Sequence, residues 1–278
     1  MDFLKSLFVG SFSSKNLGFL HHVSGSKNRF LFQNHNTRLW KSCHNLLPRE
    51  TMCFMPDYLN AVTALYPIKL MKTVRLRVSD TEQLLLDPEL NLKVVVLVRD
   101  PRGVYASRSA GPIAAWCKKD ACADPVVGCE NIFMDVQSAK DLEKRYPGRI
   151  FLIRYEDLSV STEEVAKSLL RFLDLPWTPE MTNFIVTHTS MDKKEIVRNR
   201  VTKKVKKETS PYSTSRNSTA TAFKWRTSLD WGNITTIQNS CSKLMDSLGY
   251  VSLKDESETK SEKFPITLTP QELWPYWS

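Results

Sequence analysis

The sequence predicts an α/β fold, with a central parallel sheet flanked by helices. Three observations carry that prediction. KVVVLV at 93–98 and IFLIRY at 150–155 are continuous apolar, largely β-branched runs. Such runs are the pattern of strands buried on both faces of a parallel sheet. Between them Ile132, Phe133, Val136, Ala139 and Leu142 recur at helical spacing. Strand and helix in alternation is the order of a sheet covered on both sides.

Each element has its own justification. Phe3, Leu4, Leu7 and Phe8 share one helical face near the start. IKLMKTVRLRV, from Ile68 to Val78, mixes β-branched and basic residues and predicts a strand with a charged exit. Ser79 is placed to cap a short helix, TEQLLL, that ends at Asp87-Pro88. A helix is expected from Arg102 to about Ser109, and the one after it ends at Tyr146-Pro147-Gly148. Ser161 precedes Glu163 and Glu164 as a cap for a helix over 162–173. From Lys193 to Lys207 the chain is strongly basic and loses apolar periodicity. A helix from about Thr235 to Leu248 closes at Gly249. Beyond Tyr250, KDESETKSEK reads as a solvated, mobile tail. The expected organisation is one domain over 1–250 and a polar tail over 251–278.

Composition narrows the class. With 278 residues, 41% hydrophobic, 25% charged and only 9 glycines, the chain is neither disordered nor collagen-like. A formal charge of +9 favours an anionic partner: nucleotide, nucleic acid, sulfated glycan or membrane surface. No apolar run reaches 18 residues, and MDFLKSLFVGSFSS lacks the layout of a signal peptide. Six cysteines, at 43, 53, 117, 122, 129 and 241, include no Cys-x-x-Cys pair, so no structural metal is expected. They are compatible with buried free thiols or with up to three disulfides in any of 15 connectivities. Two sequons, Asn217-Ser218-Thr219 and Asn233-Ile234-Thr235, tilt the choice toward a secretory compartment.

The chemistry concentrates at KVVVLVRDPRGVYASR, from Lys93 to Arg108. Ligands of parallel sheets collect at the carboxyl ends of strands, where helix N-termini offer unpaired N–H groups. Arg99 stands at such an end, and its guanidinium can grip two phosphate oxygens at once. Asp100-Pro101 turns the chain into a helix. Ser107, two turns beyond Arg99, could donate to the same anion. The alternative is Arg99 paired with a nearby carboxylate and Ser107 merely exposed.

This stretch resembles the 3′-phosphate-binding motif of Golgi carbohydrate sulfotransferases that act on the 6-hydroxyl of galactose, N-acetylglucosamine or N-acetylgalactosamine. KTVRL at 72–76, DPELNLKVVVLVRDP, RIFLIRYEDL, RFLDLPW, and AFKWR followed by a cysteine-containing helix to LGY occur in that family's order, over roughly Lys72 to Tyr250. The resemblance implies a P-loop-NTPase-like sulfotransferase fold and 3′-phosphoadenosine 5′-phosphosulfate as sulfate donor, with no metal. It implies that Arg99 and Ser107 bind the 3′-phosphate and that Tyr155 faces the adenine. Arg216, Lys224, Trp225 and Arg226 fall where the family's C-terminal loop returns to the nucleotide. Taken alone, Tyr155 also suits a half-buried core position, and the basic group suits a solvated face.

The implied partner is a glycan acceptor, keratan- or chondroitin-like or an N- or O-glycan, and not nucleic acid. The resemblance also implies a glycoprotein of the Golgi lumen, held by a membrane anchor that this chain does not display. A glycan on Asn217 would crowd the loop expected over the nucleotide.

One family feature is missing from the pattern. The Ser-Gly-Ser-rich loop that cradles the 5′-phosphosulfate follows the first apolar strand, and nothing here fits that context. VSGSKNRF at 23–30 and GSFSSK at 10–15 are short matches without a preceding strand. DFLKSLFVGSFS resembles a segment that lies well after that strand, so the N-terminal strand and loop are expected to be absent. The catalytic base stays unassigned: neither Glu156 nor His188 is given that role. Two function classes follow, a carbohydrate sulfotransferase and a catalytically silent nucleotide-binding fragment or partner of an intact enzyme. A nucleic-acid binder is disfavoured because the basic run lacks interleaved aromatics. A P-loop kinase is disfavoured because G-x-x-x-x-G-K-[ST] is absent.

Overall fold

The computed structural model of the chain describes residues 2–13, 18, 20, 41–43, 45, 50–114, 117–118, 120–189, 217–261 and 265–268. They fall into two compact units, Met1–Leu92 and Lys93–Ser278. VSGSKNRF, the basic run at 193–207 and Arg216 lie outside the described residues.

In the first unit, α1 (Asp2–Val9) forms where the apolar spacing of Phe3, Leu4, Leu7 and Phe8 predicts it. Lys5 binds Asp87 and Glu89, each at 2.6 Å. The Asn60 side chain of α2 (Pro56–Thr63) clasps the Phe12 backbone through both its amide and its carbonyl. A disulfide joins Cys43 to Cys53 beside Phe54.

The strand expected over Ile68–Val78 is not formed. Among the described residues it has no partner to complete a ladder, and Leu70 and Val74 are 94% and 88% exposed. Without pairing, an extended segment leaves its peptide groups to water. Nor does Ser79 cap the following helix. It lies inside a 3₁₀ turn (Ser79–Thr81) that leads directly into α3 (Glu82–Leu85), with no side-chain cap at either start.

The second unit is built on two parallel strands, β1 (Val94–Val98) and β2 (Ile150–Arg154), in register from Val94 opposite Ile150 to Val98 opposite Arg154. The crossover between them carries α4 (Pro101–Arg108) and the 21-residue α5 (Pro125–Arg145). Asp124 caps α5 by accepting from the Val126 amide, and Gly148, at φ +75°, makes the turn into β2. Only a glycine enters that region without steric cost.

Every residue of β2 is buried, but β1 differs from expectation: Val95 and Leu97 are 41% and 57% exposed. They alternate onto the face that carries Phe151 and Ile153 of β2, which is buried over β2 but open over β1. The described residues are thus mostly helical, and the second unit holds a small two-stranded parallel sheet.

After β2 come α6 (Tyr155–Val160), α7 (Thr162–Phe172) and α8 (Pro179–Thr189). Ser161 occupies the cap position of α7 but makes no side-chain cap bond. Val165 of α7 packs on Phe151 and Ile153, and the Phe151 and Phe172 rings lie 5.0 Å apart.

A C-terminal helical layer follows, with α9 (Ser218–Ala222), α10 (Trp225–Ser228), α11 (Trp231–Ser240) and α12 (Ser242–Leu248). The single helix predicted to Leu248 is interrupted at Cys241, which is disulfide-bonded to Cys129 of α5. Gly249, at φ +66°, closes α12 as predicted. The third disulfide, Cys117–Cys122, closes a short loop after α4.

The segment beyond Tyr250 is not simply a solvated tail. Leu253 and Ile266 bury themselves against Trp225 and Ile234, and Thr267 bridges back to Tyr250. Two apolar residues spaced along a charged stretch suffice to seat it. Within it, α13 (Ser257–Lys260) forms one helical turn.

Candidate functional site

The turn after β1 is fixed from below by buried polar groups. Asp100 caps α4, its Oδ1 accepting from the Arg102 amide at 2.8 Å, and Pro101 supplies the preset first helical φ. Arg102 turns inward. Its Nε and Nη2 grip the Asp100 carboxylate, Nη2 at 2.7 Å, and both side chains are fully buried. Its Nη1 donates to Gln238 Oε1 and to the Val251 carbonyl, and its guanidinium lies 4.2 Å from the centre of the Trp225 ring.

Glu156, at the start of α6, joins the two strand ends. Its Oε1 accepts the Asp100 N–H at 3.2 Å, and its Oε2 accepts the Tyr250 hydroxyl at 2.7 Å. Burial, with Asp100 nearby, pushes the Glu156 carboxyl up to about 7. Burial beside Glu156 also holds the Tyr250 phenol well above its ordinary range. Arg154, the last residue of β2, is clamped by Asp157 and by the Leu248 and Leu268 carbonyls.

On this base Arg99 faces the other way. Its guanidinium carbon lies 4.8 Å from the centre of the Tyr155 ring, and Nη2 donates to the Thr221 carbonyl of α9 at 3.0 Å. α9 is itself held to α6 by the Thr219 hydroxyl, which donates to the Ser159 carbonyl. Arg99 rests on the bare α-carbon of Gly103: a Cβ there would stand 2.9 Å from Nε. That Nε is buried and has no hydrogen-bond partner among the described residues. The alternative of a carboxylate partner for Arg99 is not realised among the described residues.

Ser107 is one helical turn beyond Gly103, so it shares the α4 face on which Arg99 lies. The structure therefore gathers Arg99, Tyr155 and the Gly103–Ser107 face at the carboxyl end of the sheet.

The other sequence candidates have different fates. Lys224 is exposed. Trp225 is 1% exposed, at the centre of the cluster with Ile234, Leu253 and Ile266, so its ring is covered by packing and by Arg102 rather than open to a purine. Arg226 donates to the carbonyls of Thr259, Glu258 and Ser261, which spends its guanidinium on the C-terminal segment. His188 stacks on Phe184 and bonds that residue's carbonyl.

Sequence reasoning passed over Thr221, whose main-chain carbonyl carries no residue signature. It also passed over the Asp100–Arg102–Gln238 and Glu156–Tyr250 contacts. The repeated arginine around Asp-Pro, one facing outward and one inward, was the available signal for the first of these.

Comparison with known proteins places the chain in a family. Residues 21–249 match the sulfotransferase domain family. Over 204 residues the chain is 33% identical to carbohydrate sulfotransferase 1 of Mus musculus and of Homo sapiens, covering 69% of this chain and 47% of each relative. It is 28% identical over 218 residues to carbohydrate sulfotransferase 3 of Mus musculus, covering 73% of this chain and 43% of the relative. The chain thus spans about half the length of the curated relatives it matches. No solved structure matches it. The chain belongs to the sulfotransferase domain family.

Proposed function

We propose that this chain is the nucleotide-gripping part of a carbohydrate sulfotransferase. It would use 3′-phosphoadenosine 5′-phosphosulfate to sulfate a sugar hydroxyl, the 6-hydroxyl of galactose, N-acetylglucosamine or N-acetylgalactosamine. The observation that carries the reading is Arg99. It is a guanidinium at a strand's carboxyl end with a buried Nε that lacks a partner among the described residues, laid between an aromatic ring and a helix face bearing a hydroxyl. A phosphate supplies the acceptor oxygens that such a donor set is missing.

Fit to the nucleotide is then a matter of charge and shape. Arg99 and Ser107 would hold the 3′-phosphate, and Tyr155 would offer its ring to the adenine. Lys224, exposed, and Arg216 are kept as further cations for the same ligand. The full sheet would be that of a P-loop-like α/β fold, of which β1 and β2 are two strands.

The donor, when bound, supplies an activated sulfuryl group. An acceptor oxygen forms the new S–O bond as the S–O bond to the 5′-phosphate breaks, leaving adenosine 3′,5′-bisphosphate. Arg99 and Ser107 act by positioning, since in-line geometry is the main demand of such a transfer. Three disulfides support an oxidising lumenal compartment such as the Golgi, and the family relatives support a glycan acceptor.

Retention on immobilised adenosine 3′,5′-bisphosphate tests the grip. Wild-type protein should bind and Arg99→Ala should not; equal retention of both overturns the assignment. Transfer of radiolabelled sulfate to desulfated keratan or chondroitin then separates an enzyme from a silent nucleotide binder.

A further inference from the structure

We propose that Asn233 carries an N-linked oligosaccharide. The sequon Asn233-Ile234-Thr235 opens α11, where Ile234, Ile237 and Gln238 form the inner face and Ile234 is fully buried. Gly232, Asn233, Thr236 and Asn239 are exposed on the other side. The packing that draws Ile234 inward therefore turns the asparagine out to solvent.

The local bonding leaves room for the modification. Asp230 caps the helix, its Oδ1 accepting the Asn233 amide at 2.7 Å and its Oδ2 accepting from Asn233 Nδ2 at 2.6 Å. One Nδ2 hydrogen suffices for that contact, and the second can be replaced by a sugar without loss of the cap. The Thr235 hydroxyl turns back to the Trp231 and Gly232 carbonyls, so no long-range packing depends on it.

The three disulfides place the chain's maturation where such transfer occurs. In the transfer, Asn233 Nδ2 bonds to C1 of the first N-acetylglucosamine of a lipid-linked oligosaccharide. The C1–O bond breaks, the lipid pyrophosphate leaves with its electron pair, and the amide proton passes to the transferase's base.

The second sequon has different surroundings. Asn217 caps α9, Thr219 is tied to the Ser159 carbonyl, and Thr221 holds Arg99. A glycan there would stand beside the Arg99 pocket.

The test uses the chain fused to a secretion signal, recovered from the medium of cultured animal cells and treated with peptide N-glycosidase F. The wild type should shift in mobility, and peptide mapping should find position 233 converted to aspartate by the enzyme. Asn233→Gln and Thr235→Ala should each lose one such step, while Thr235→Ser and Asn217→Gln should keep it. An unmodified Asn233 in the peptide map, or a shift removed by Asn217→Gln alone, overturns the assignment. The map is read on wild-type protein, so the result stands even where a variant fails to fold.

Discussion

Glu156 accepts the backbone N–H of Asp100 at 3.2 Å, so the end of β2 holds the turn that follows β1. The two carboxyl groups are close enough for Asp100 to raise the proton affinity of Glu156, and burial raises it more. Arg102 neutralises Asp100, and Tyr250 satisfies the second Glu156 oxygen. The turn that presents Arg99 is thereby built from charged groups that cannot be removed singly without a cost.

The first prediction concerns pH. The Glu156 carboxyl is raised from 4.5 to about 7, so the folded chain binds its proton more tightly than the unfolded chain does. The stabilisation is fully present below the unfolded value and is lost as pH rises through about 7. Glu156→Gln keeps an acceptor for the Asp100 amide and cannot ionise. Relative to wild type it should gain stability between pH 5 and pH 8, on the order of 3 kcal/mol. Urea unfolding at both values checks this, and a constant difference would refute it.

Much of this frame was legible because it is local. The run into Arg99, the Asp-Pro turn and the α4 helix depend on neighbours in sequence, and so do β2 and the α12 stop at Gly249. Besides Asp100, the partners of Arg102 are Gln238 and Val251, more than a hundred residues away, and no spacing rule reaches that far. Trp225 among cations suits a purine site and a cation–π core equally well, because the same quadrupole attracts both. Burial decides between them, and burial is a tertiary fact. A β-branched run cannot report how far a covering helix reaches across the sheet, which is why Val95 and Leu97 stand exposed where burial was expected. Exposed Leu70 and Val74 show the same limit for a strand pattern that lacks a partner.

A second prediction separates ring from hydroxyl at Tyr155. The Arg99 guanidinium sits over the ring face, so Tyr155→Phe should hold affinity for adenosine 3′,5′-bisphosphate within about threefold. Tyr155→Ala removes the face that orients Arg99 and should weaken binding by roughly tenfold, the size of one partly desolvated cation–π contact. Titration calorimetry reads both. Equal loss in the two variants would show that the hydroxyl matters instead.

Arg102 should behave as a structural residue. Arg102→Met leaves the Asp100 carboxylate buried without its ion partner, and loss of one member of a buried pair costs about 3–5 kcal/mol. Gln238 Oε1 keeps the Leu253 amide, but the Val251 carbonyl loses its donor. Denaturant unfolding should show the full loss. A variant within about 1 kcal/mol of wild type would mean that water reaches Asp100.

Cys129–Cys241 spans 112 residues and joins α5 to the interruption between α11 and α12. Closing a loop of that size restricts the unfolded chain, a contribution of roughly 5 kcal/mol. The paired serine variant should lose about that much, read from unfolding of the non-reduced protein. Reduction of Cys117–Cys122, whose loop spans five residues, should cost less.

Arg226 gives the last test, and it distinguishes a nucleotide contact from a clamp. Its guanidinium donates to the carbonyls of Thr259, Glu258 and Ser261, all within the segment that brings Leu253 and Ile266 onto Trp225. Arg226→Ala removes these charge-assisted bonds and leaves the carbonyls to water. Amide exchange should then accelerate over 256–261, while Trp225 and Ile234 keep their protection through the remaining packing. Affinity for adenosine 3′,5′-bisphosphate should stay unchanged, because the Arg226 guanidinium is engaged on these carbonyls, whereas Arg99 has a donor without a partner among the described residues. A drop in affinity without faster exchange would return Arg226 to the nucleotide site.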